Sequence, residues 1–287
     1  MKILITGSSG FISKALFKKL EQNKDHEVFG IDLIEGNDTS ELLSTNIKYD
    51  IIYHFAATNG TKLFYEKPTE VLINNTLSSI DVCKYLLKNP KTKVVFSSTC
   101  EIFNGAVDEG IYKIPTDEDV PIFFKDINNP RWSYSLPKAL GENLFSNIGN
   151  DYLILRFFNI FGPKQKDHFV PEFIQRIKKD KKAIIYGNDT RSFCYIDDTI
   201  RILDKLLKLN VWNHTLNIGS DYEVSIEEVA KKIMRILEFG NELIVYPSPE
   251  GSVKRRQPDL TKLKILLGEF QYTNFDKSLK ETVDSYE

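Results

Sequence analysis

Tyr134 and Lys138 stand four positions apart in the sequence Tyr-Ser-Leu-Pro-Lys. On a helix, two side chains at this spacing share one face, with their Cβ atoms about 5–6 Å apart. A lysine ammonium beside a tyrosine hydroxyl favours the phenolate and so lowers the tyrosine pKa. A tyrosine tuned in this way can accept a proton from a hydroxyl group while a hydride leaves the same carbon. Because the same spacing occurs by chance on many helices, this interpretation depends on the motifs around it.

Hydroxyl and carboxyl residues directly follow an apolar run at positions 94–96. Polar groups at the carboxyl end of a buried parallel strand face the ligand, so Ser97, Thr99 and Glu101 are candidates. Thr99 can hydrogen-bond a reacting hydroxyl and relay its proton to Tyr134, and Glu101 can serve as a second acid or base. The alternatives are ordinary loop chemistry for the serines and a solvated loop acid for Glu101.

A glycine-containing loop joins the apolar run at positions 2–6 to an amphipathic stretch that starts at Phe11. Gly7 permits a tight turn, and Gly10 lets the backbone approach phosphate groups closely. The free N–H groups and the positive end of the following helix then face the negative charge of a pyrophosphate. The pattern predicts a dinucleotide site, and the alternative is an ordinary strand–turn–helix without a ligand.

An acidic residue in the expected place supports the dinucleotide interpretation. Asp32 ends the second predicted strand, at positions 28–32. A carboxylate there accepts hydrogen bonds from the ribose hydroxyls of an adenosine and repels a 2′-phosphate, which favours NAD over NADP. The alternative is a surface aspartate, but three matching elements in the right order favour the first interpretation.

Predicted strands and helices alternate through the first half of the chain. Apolar runs predict strands at 2–6, 28–32, 50–55, 92–97 and 151–156, and amphipathic stretches predict helices at about 11–21, 67–88 and 134–148. This alternation predicts an α/β fold, a Rossmann-type doubly wound parallel sheet whose ligands bind at the carboxyl ends of the strands. Proline is tolerated in the first helical turn, so Pro137 places the start of the last helix near Ser133 or Tyr134.

The second half of the chain is less regular. It predicts helices at 169–179, 196–209, 225–239 and 260–267, and strands at 183–186 and 243–246. Ser225 and Glu228 form a capping box at the start of the third of these helices. The pieces are too short for a second Rossmann unit and predict a small mixed C-terminal substrate-binding lid. We therefore assign an NAD-binding domain to residues 1–158 plus about 187–218. A nucleotide-sugar-binding domain is assigned to about 159–186 plus 219–287.

Composition narrows the range of partners. The 287 residues carry a net charge of −2, which gives no reason to expect nucleic acid or an anionic membrane as a partner. No apolar run approaches about 18 residues, the length of a membrane span. Lys2 leads straight into a predicted strand, so we expect no signal peptide and a cytoplasmic protein. The three cysteines form no Cys-x-x-Cys pair, which predicts a reducing compartment and no metal site.

Together these features resemble an extended short-chain dehydrogenase/reductase of the NAD-dependent epimerase/dehydratase family, whose members modify nucleotide sugars. The resemblance spans essentially the whole chain. Besides the motifs above, it rests on His54-Phe-Ala-Ala, Asn75, Arg156-Phe-Phe-Asn, Gly162-Pro163, Arg191-Ser-Phe and Arg255-Arg-Gln-Pro-Asp. These motifs are specific for the family and only weakly specific for the substrate.

The resemblance implies a role for each matching residue. Tyr134 would be the catalytic base, Lys138 would position the nicotinamide ribose, and Thr99 would be the hydroxyl partner. The residues expected to line NAD are Gly7, Gly10, Phe11, Ile12, Asp32, Leu33, Ala56, Ala57, Asn75, Ser97, Tyr134, Lys138 and Phe157. The residues expected to hold the diphosphate of a nucleotide-diphosphate sugar are Asn159, Arg191 and Arg256. Planar guanidinium donors match phosphate oxygens, whereas the alternative for both arginines is surface ion pairing of little energetic value.

Three departures from the family pattern carry further expectations. Ser13 replaces a third small glycine, so the first helix should sit slightly farther from the sheet. Only 21 residues separate Asp32 from the His-Phe-Ala-Ala motif, where the family usually fits a helix, a strand and an adenine-contacting motif. We therefore expect a trimmed sheet and a more open adenine pocket. Cys100 stands where dTDP-glucose-type 4,6-dehydratases carry an aspartate, whereas Thr99-x-Glu101 resembles nucleotide-sugar decarboxylases and GDP-mannose-type dehydratases.

The resemblance implies oxidation at C4 of the sugar as the first step, with Tyr134 taking the hydroxyl proton and NAD the hydride. Return of the hydride to the other face gives epimerisation. Proton removal at C5 by Glu101 with loss of water gives dehydration, and a uronate would lose carbon dioxide from the β-keto acid. Our leading hypothesis is an NAD-dependent nucleotide-sugar epimerase/dehydratase that works through a transient 4-keto sugar.

Two alternatives stay open. Arg131 lies three residues before Tyr134, as it does in decarboxylases that the chain resembles. A UDP-uronate decarboxylase is therefore the first alternative. Arg131 has a structural interpretation as well, in which it only caps the helix or stacks on a neighbouring side chain. A catalytically silent dinucleotide-sensing protein is the alternative from another class, since a fold does not imply a function. The apolar faces of the helices at 67–88 and 134–148 further predict a homodimer, unless both faces pack on the sheet.

Overall fold

The structure is a computed structural model that describes residues 1–248 and 254–286. The described chain forms two compact units. Unit 1 comprises residues 1–105, 121–157 and 200–216, and unit 2 comprises residues 106–120, 158–199 and 217–287. The assignment of a dinucleotide-binding and a substrate-binding role to two predicted domains remains a prediction. Residues 249–253 and Glu287 of the second predicted domain lie outside the described part.

A parallel sheet forms the centre of unit 1. Its strands are, in chain order, β1 (Lys2–Thr6), β2 (Glu27–Ile31), β3 (Ile51–His54), β4 (Lys93–Thr99), β5 (Tyr152–Phe157) and β10 (His214–Ile218). Their order across the sheet is β10-β5-β4-β3-β1-β2, and the pairs from β2 through to β5 run parallel. The chain moves outward from β1 to β2 and then returns to place β3 on the other side of β1. This is the doubly wound arrangement, so the predicted fold class is confirmed.

Helices follow most strands in the first half of the chain. They are α1 (Phe11–Leu20), α2 (Thr61–Glu66), α3 (Pro68–Lys88), α4 (Asn104–Asp108) and α5 (Trp132–Asn147). Helices α3 and α5 pack together, and a continuous buried cluster joins them to the sheet through Leu4, Ile52, Val82, Phe96 and Phe145. Burying each such side chain contributes about 1.5–3 kcal/mol. The core therefore fixes α5 against β4, the two elements that carry the candidate catalytic residues.

The start of α5 differs slightly from the prediction. The helix begins at Trp132, so Pro137 is its sixth residue and lies inside it. A proline there has no N–H to donate to the carbonyl of Ser133, four residues earlier. Trp132 is 7% exposed and its ring lies edge-on to Phe124, with centroids 5.2 Å apart. Burial of the Trp132 side chain stabilises the first turn of the helix. The position of Pro137 alone does not predict that this turn begins at Trp132.

The segment after β2 is short, as the residue count predicts. It contains two 3-10 helices, Leu33–Glu35 and Thr39–Leu43, and β2 is the edge strand of the sheet. Leu42 and Tyr49 are buried in the core, so this segment covers the edge without adding a strand. A cavity of about 350 Å³ lies beside it, lined in part by residues 29–31 of β2. The trimmed sheet is thus observed, whereas the more open adenine pocket stays a prediction.

The second half of the described chain holds short strands and longer helices. The elements are β6 (Ile160–Phe161), α6 (Phe169–Asp180), β7 (Ala183–Tyr186), β8 (Thr190–Ser192), β9 (Cys194–Tyr195), α7 (Ile196–Lys208), β11 (Glu223–Ser225), α8 (Ile226–Ile236), β12 (Leu243–Tyr246), β13 (Arg255–Arg256), α9 (Thr261–Leu267) and α10 (Phe275–Asp284). The small sheets have the orders β11-β8-β13, β12-β7 and β6-β9. Strands β8 and β11 are antiparallel and the other pairs are parallel, which matches the predicted mixed character.

Helix caps explain where several of these elements begin. The Ser225 side chain accepts a hydrogen bond from the N–H of Glu228 at 3.0 Å, so the predicted N-cap of α8 is confirmed. Asn274 caps α10 in the same way, by accepting from the N–H of Lys277 at 3.1 Å. The prediction omitted α10, although apolar residues at 275, 279 and 283 have helical spacing. Within the described residues, every helix is too short or too polar to cross a membrane.

Candidate active site

Lys138 lies in unit 1 on α5 and is almost fully enclosed, with 3% of its surface exposed. Its Nζ donates hydrogen bonds to the carbonyl oxygen of Ser97 at 2.6 Å and to the Ser97 hydroxyl at 3.2 Å. The same nitrogen lies 4.9 Å from the centroid of the Phe96 ring. Burial disfavours the charged form and lowers the pKa of Lys138 to about 7. Helix α5 and strand β4 therefore hold this amine in one place and near its neutral form.

Tyr134 lies one turn before Lys138 on the same helix, and the Lys138 Nζ is 5.9 Å from the centroid of its ring. The Tyr134 pKa is raised above its ordinary value, first by burial and then by the negative charge of Glu101 and the nearby Cys100 thiol. A hydrogen bond with the Thr99 side chain acts in the opposite direction. The expected lowering of the tyrosine pKa is therefore wrong for the protein without ligand, because burial and the neighbouring negative charge outweigh the hydrogen bond with Thr99.

Glu101 follows Thr99 in the short 3-10 helix Cys100–Phe103, and its N–H donates to the Thr99 Oγ1 at 3.2 Å. The Glu101 Oε2 accepts hydrogen bonds from Arg131 at 3.1 Å and from the Asn104 side chain at 2.6 Å. These donors fix the orientation of the Glu101 side chain. Glu101 is thus not the solvated loop acid of the alternative interpretation, and Arg131 is an ion-pair partner.

Two features of α5 that the sequence analysis did not single out bring it close to the sheet. A Cβ atom added at Gly141 would lie 2.4 Å from the Phe96 ring, so glycine permits this close approach. One turn after Lys138, the buried carboxylate of Glu142 forms a two-point ion pair with Arg156 of β5, at 2.9 and 2.8 Å. Ser98 of β4 donates to the same carboxylate at 2.5 Å. This network joins α5, β4 and β5 one helical turn after Lys138.

The glycine loop has the geometry that a pyrophosphate site requires. Gly7 has a φ of +70°, and a Cβ added there would lie 2.6 Å from the Ala56 Cα. Gly10 is the N-cap of α1, and it has no side chain that could cap the helix. The first backbone N–H groups of the helix, beginning with those of Phe11 and Ile12, therefore receive no hydrogen bond acceptor from an N-cap side chain. Gly7 thus lets the loop pack directly against the backbone at Ala56, and the helix start without a side-chain cap fits the diphosphate of NAD. The contact of Gly7 and Gly10 with a pyrophosphate stays a prediction.

Asp32 contacts this loop directly. The residue is 8% exposed, and its carboxylate accepts hydrogen bonds from the N–H groups of Ser9 and Ile34, both at 2.9 Å. Leu33, the next residue, is 67% exposed on the first 3-10 helix. Asp32 thus holds the loop in shape, and the contacts of Asp32 with a ribose and of Leu33 with NAD stay predictions.

Asn75 of α3 acts on the loop that follows β3. Its side-chain oxygen accepts from the N–H of Thr58 at 2.7 Å, and its amide donates to the Thr58 carbonyl at 3.1 Å. Ala56 donates its N–H to the Thr6 hydroxyl at 3.2 Å, and Ala57 lies between these two anchors. Phe157 ends β5, and its ring packs edge-on against Phe55, with centroids 5.8 Å apart. Asn75 therefore supports the predicted NAD-lining segment at Ala56 and Ala57.

The three predicted diphosphate residues belong to unit 2, where neighbouring strands connect them. Arg191 of β8 and Arg256 of β13 are partners in the register of this pair. The Asn159 side chain donates to the carbonyl of Ser192 at 3.1 Å, and Asn159 itself has a positive φ of 36°. Arg191 forms an ion pair with Asp189 at 3.5 Å. The fold thus places two guanidinium groups on adjacent strands, an arrangement that suits an anion with two charged groups.

The structure brings the predicted catalytic residues together within unit 1. Thr99, Glu101, Tyr134 and Lys138 lie on β4, the 3-10 helix after it and α5, and each is linked to another by the contacts above. Sequence reasoning missed Phe64, whose ring stacks on that of Tyr134 with centroids 5.0 Å apart. Phe64 lies on α2, between two longer elements, and no periodic pattern marks it. It also missed the hydrogen bond from the Asn104 side chain to Glu101. The only signal in the sequence is that a polar residue follows Glu101 by three positions.

Comparison with known proteins gives the wider context. Residues 3–219 match the model of the family described as "NAD dependent epimerase/dehydratase family". A UDP-N-acetyl-alpha-D-glucosaminuronate decarboxylase of Bacillus cytotoxicus is 29% identical to this chain, over 98% of the chain and 96% of the relative. A putative UDP-glucose 4-epimerase of Methanocaldococcus jannaschii is 30% identical, over 92% of each sequence.

Solved structures share the fold along the whole chain. A UDP-glucuronic acid 4-epimerase from Bacillus cereus, in complex with UDP-glucuronic acid and NAD, matches with a TM-score of 0.84 and 26% identity. The match covers 99% of this chain and 98% of the epimerase. The similarity therefore includes both compact units of the described chain.

Proposed function

This chain belongs to the NAD-dependent epimerase/dehydratase family, and from that premise we propose that it oxidises C4 of a nucleotide-diphosphate sugar to a transient 4-keto sugar. The observation that carries the proposal is the group formed on α5 and β4 by the half-buried Tyr134 and the buried Thr99 and Lys138. Its phenol, hydroxyl and amine are the groups needed to move a proton from a secondary alcohol. The intact group also argues against a catalytically silent sensor.

Each residue has one task in this scheme. To accept the proton of the C4 hydroxyl, Tyr134 must be present as the phenolate, which the positive charge of a bound nicotinamide would favour over the protonated form of the ligand-free protein. The Thr99 hydroxyl holds both oxygens in line. Lys138, anchored on Ser97, fixes the ribose next to the tyrosine. The chemistry supplied by bound NAD is reversible uptake of the hydride that leaves C4. Burial of this group excludes water, which protects the keto sugar until the hydride returns.

The fate of the keto sugar separates the candidate activities. Glu101 is oriented by Arg131 and Asn104 as a carboxylate, which is the form that accepts a proton from C5. This supports an acid–base step after oxidation, and dehydration or epimerisation remains our leading proposal. The Glu101–Arg131 pair, together with the decarboxylase among the relatives, favours UDP-uronate decarboxylation as the second candidate. In that case the bond from C5 to the carboxylate breaks, carbon dioxide leaves, and C5 takes up a proton.

A panel of UDP-, GDP- and dTDP-sugars, including UDP-uronates, tests the proposal. Each is incubated with the protein and NAD in deuterated water, and the products are identified by NMR. Inversion at C4 without deuterium indicates epimerisation, deuterium at C5 with loss of water indicates dehydration, and loss of the carboxylate carbon indicates decarboxylation. NAD binding without turnover of any sugar nucleotide would instead support the sensor alternative.

We also propose that the protein is a homodimer. Support comes from exposed apolar side chains on the two long helices of unit 1, with Ile73 and Leu77 of α3 and Leu140 of α5 each at least 40% exposed. The area that such a helix pair buries in a second copy would stabilise the dimer. A cytoplasmic location is proposed as well, supported by three cysteines that form no disulfide in the described structure.

A further inference from the structure

Ser9, in the middle of the glycine loop, is in contact with two acidic side chains. Its N–H donates to the Asp32 Oδ2 at 2.9 Å, and its hydroxyl donates to the Glu35 Oε1 at 2.5 Å. Glu35 comes from the 3-10 helix Leu33–Glu35, which ends at Gly36 with a φ of 86°. The left-handed glycine turns the chain away directly after Glu35. Two carboxylates are therefore held at one residue of the loop.

The two acids differ in their surroundings. Asp32 is 8% exposed, and each of its oxygens accepts a backbone N–H, from Ser9 and from Ile34. Both oxygens of the Asp32 carboxylate are thus used in hydrogen bonds that fix the conformation of the loop. Glu35 is exposed, and its carboxylate accepts a hydrogen bond from the neutral hydroxyl of Ser9. Glu35 therefore presents its negative charge to whatever approaches this side of the loop.

The sequence around Glu35 adds to this charge. Residues 32–47 contain four acids, at positions 32, 35, 38 and 41, and no lysine, arginine or histidine. Proteins that bind NADP accommodate its 2′-phosphate with an arginine near the end of the second strand. In this chain the same region offers a carboxylate fixed to the loop and no basic residue.

We infer that Glu35 is a specificity-determining residue, whose carboxylate, held by Ser9 beside Asp32, excludes dinucleotides that carry a 2′-phosphate on the adenosine ribose. The inference rests on the assignment of NAD as the cofactor of this loop. Asp32 shapes the loop, contacts the ribose and carries one negative charge toward the 2′-position, and Glu35 adds a second charge that repels the dianionic phosphate. Because Glu35 is exposed, this repulsion is moderate and depends on ionic strength.

Calorimetric titration of the full-length protein with NAD and with NADP tests this inference without any turnover. In Glu35→Gln, the side chain keeps its shape and its acceptor for Ser9 but loses its charge. We expect NADP to bind about tenfold more tightly than to the wild type, and NAD to bind within about twofold of it. In about 1 M salt, where charges are screened beyond about 3 Å, most of the gain should disappear.

Asp38→Asn is the matched control, because it removes an exposed negative charge from the same segment and retains the side-chain cap on Ser40. It should leave the ratio of NADP to NAD affinity unchanged. An unchanged NADP affinity in Glu35→Gln, or an equal gain in Asp38→Asn, would overturn the role of Glu35 while NAD binding still stands. A wild type that bound neither dinucleotide would overturn the cofactor assignment and this inference together.

Discussion

The ring of Phe64 lies parallel to the ring of Tyr134, with planes 13° apart and centroids separated by 5.0 Å. Phe64 is 7% exposed, and Tyr134 is half-buried. One face of the tyrosine is therefore covered by a hydrocarbon ring, while Thr99 contacts its oxygen. This contact shields part of the Tyr134 ring on α5 from water.

Phe64→Ala should lower the pKa of Tyr134 and destabilise the protein. Burial is the largest cause of the raised tyrosine pKa, so admitting water to the ring removes part of that cause. Loss of the buried ring should cost about 3 kcal/mol of unfolding free energy. The tyrosine pKa is measured as the difference between the ultraviolet titrations of Phe64→Ala and of the double variant with Tyr134→Phe. Phe64→Leu, which keeps most of the cover, should shift the pKa less; an equal shift would contradict the role of burial.

Tyr134→Phe should leave NAD binding intact and reduce turnover. Only the hydroxyl is lost, so the enclosed ring contacts remain while the proton acceptor is missing. We expect a decrease in kcat of about 10²–10⁴-fold, the usual effect of a positioned acid–base group. Calorimetry with NAD provides the control, and kcat on the substrate found by the panel provides the measurement. Unchanged turnover would remove Tyr134 from the mechanism.

Lys138 should make the stability of the ligand-free protein rise with pH. Its pKa is about 7 in the folded protein and about 10.4 in an unfolded chain. Between these values the unfolded chain binds a proton that the folded protein does not, so the free energy of unfolding increases with pH. Relative to Lys138→Met, the wild type should gain about 2 kcal/mol between about pH 7 and about pH 9. Urea denaturation of both proteins at the two pH values measures this, and parallel behaviour would show that Lys138 stays charged.

Asp32→Ala should weaken NAD binding and relax discrimination against NADP. The substitution removes the acceptor of two backbone N–H groups, those of Ser9 and Ile34, and frees the loop from its fixed shape. We expect the Kd for NAD to rise about tenfold, since two hydrogen bonds to a charged group are lost. Asp38→Ala, which removes an exposed cap in the same segment, serves as the control. A wild type that already preferred NADP would refute the predicted role of Asp32.

Leu77→Asp should convert the proposed homodimer to a monomer. Leu77 is 55% exposed on α3, and a carboxylate there would have to be desolvated in the proposed interface. Light scattering coupled to gel filtration should give a mass near 33.1 kDa for the variant and twice that for the wild type. Ile265→Asp, on an exposed position of α9, should leave the dimer unchanged. A monomeric wild type at micromolar concentration would contradict the proposal.

Local patterns were sufficient to predict the main elements of unit 1. Apolar runs predict β1 to β5 within one or two residues for most boundaries, because a buried strand must be apolar whatever its neighbours are. Gly7 and its positive φ were predictable as well, since the tight turn excludes other residues. Short elements such as β6, β9 and β13 were missed, because two-residue strands are defined by their partners and not by their own sequence.

The sequence by itself determined the fold class, the glycine loop and the tyrosine–lysine pair, because each depends on residues close together in the chain. Only the tertiary structure decided the state of that pair. Burial raises the pKa of Tyr134 and lowers that of Lys138, and the surroundings that cause this come from residues far apart, such as Phe64 and Ser97. Likewise, Ser9 and Glu35 meet only after the chain has folded back along β2. Solvent exclusion and charge proximity depend on distances in space, and linear spacing does not contain them.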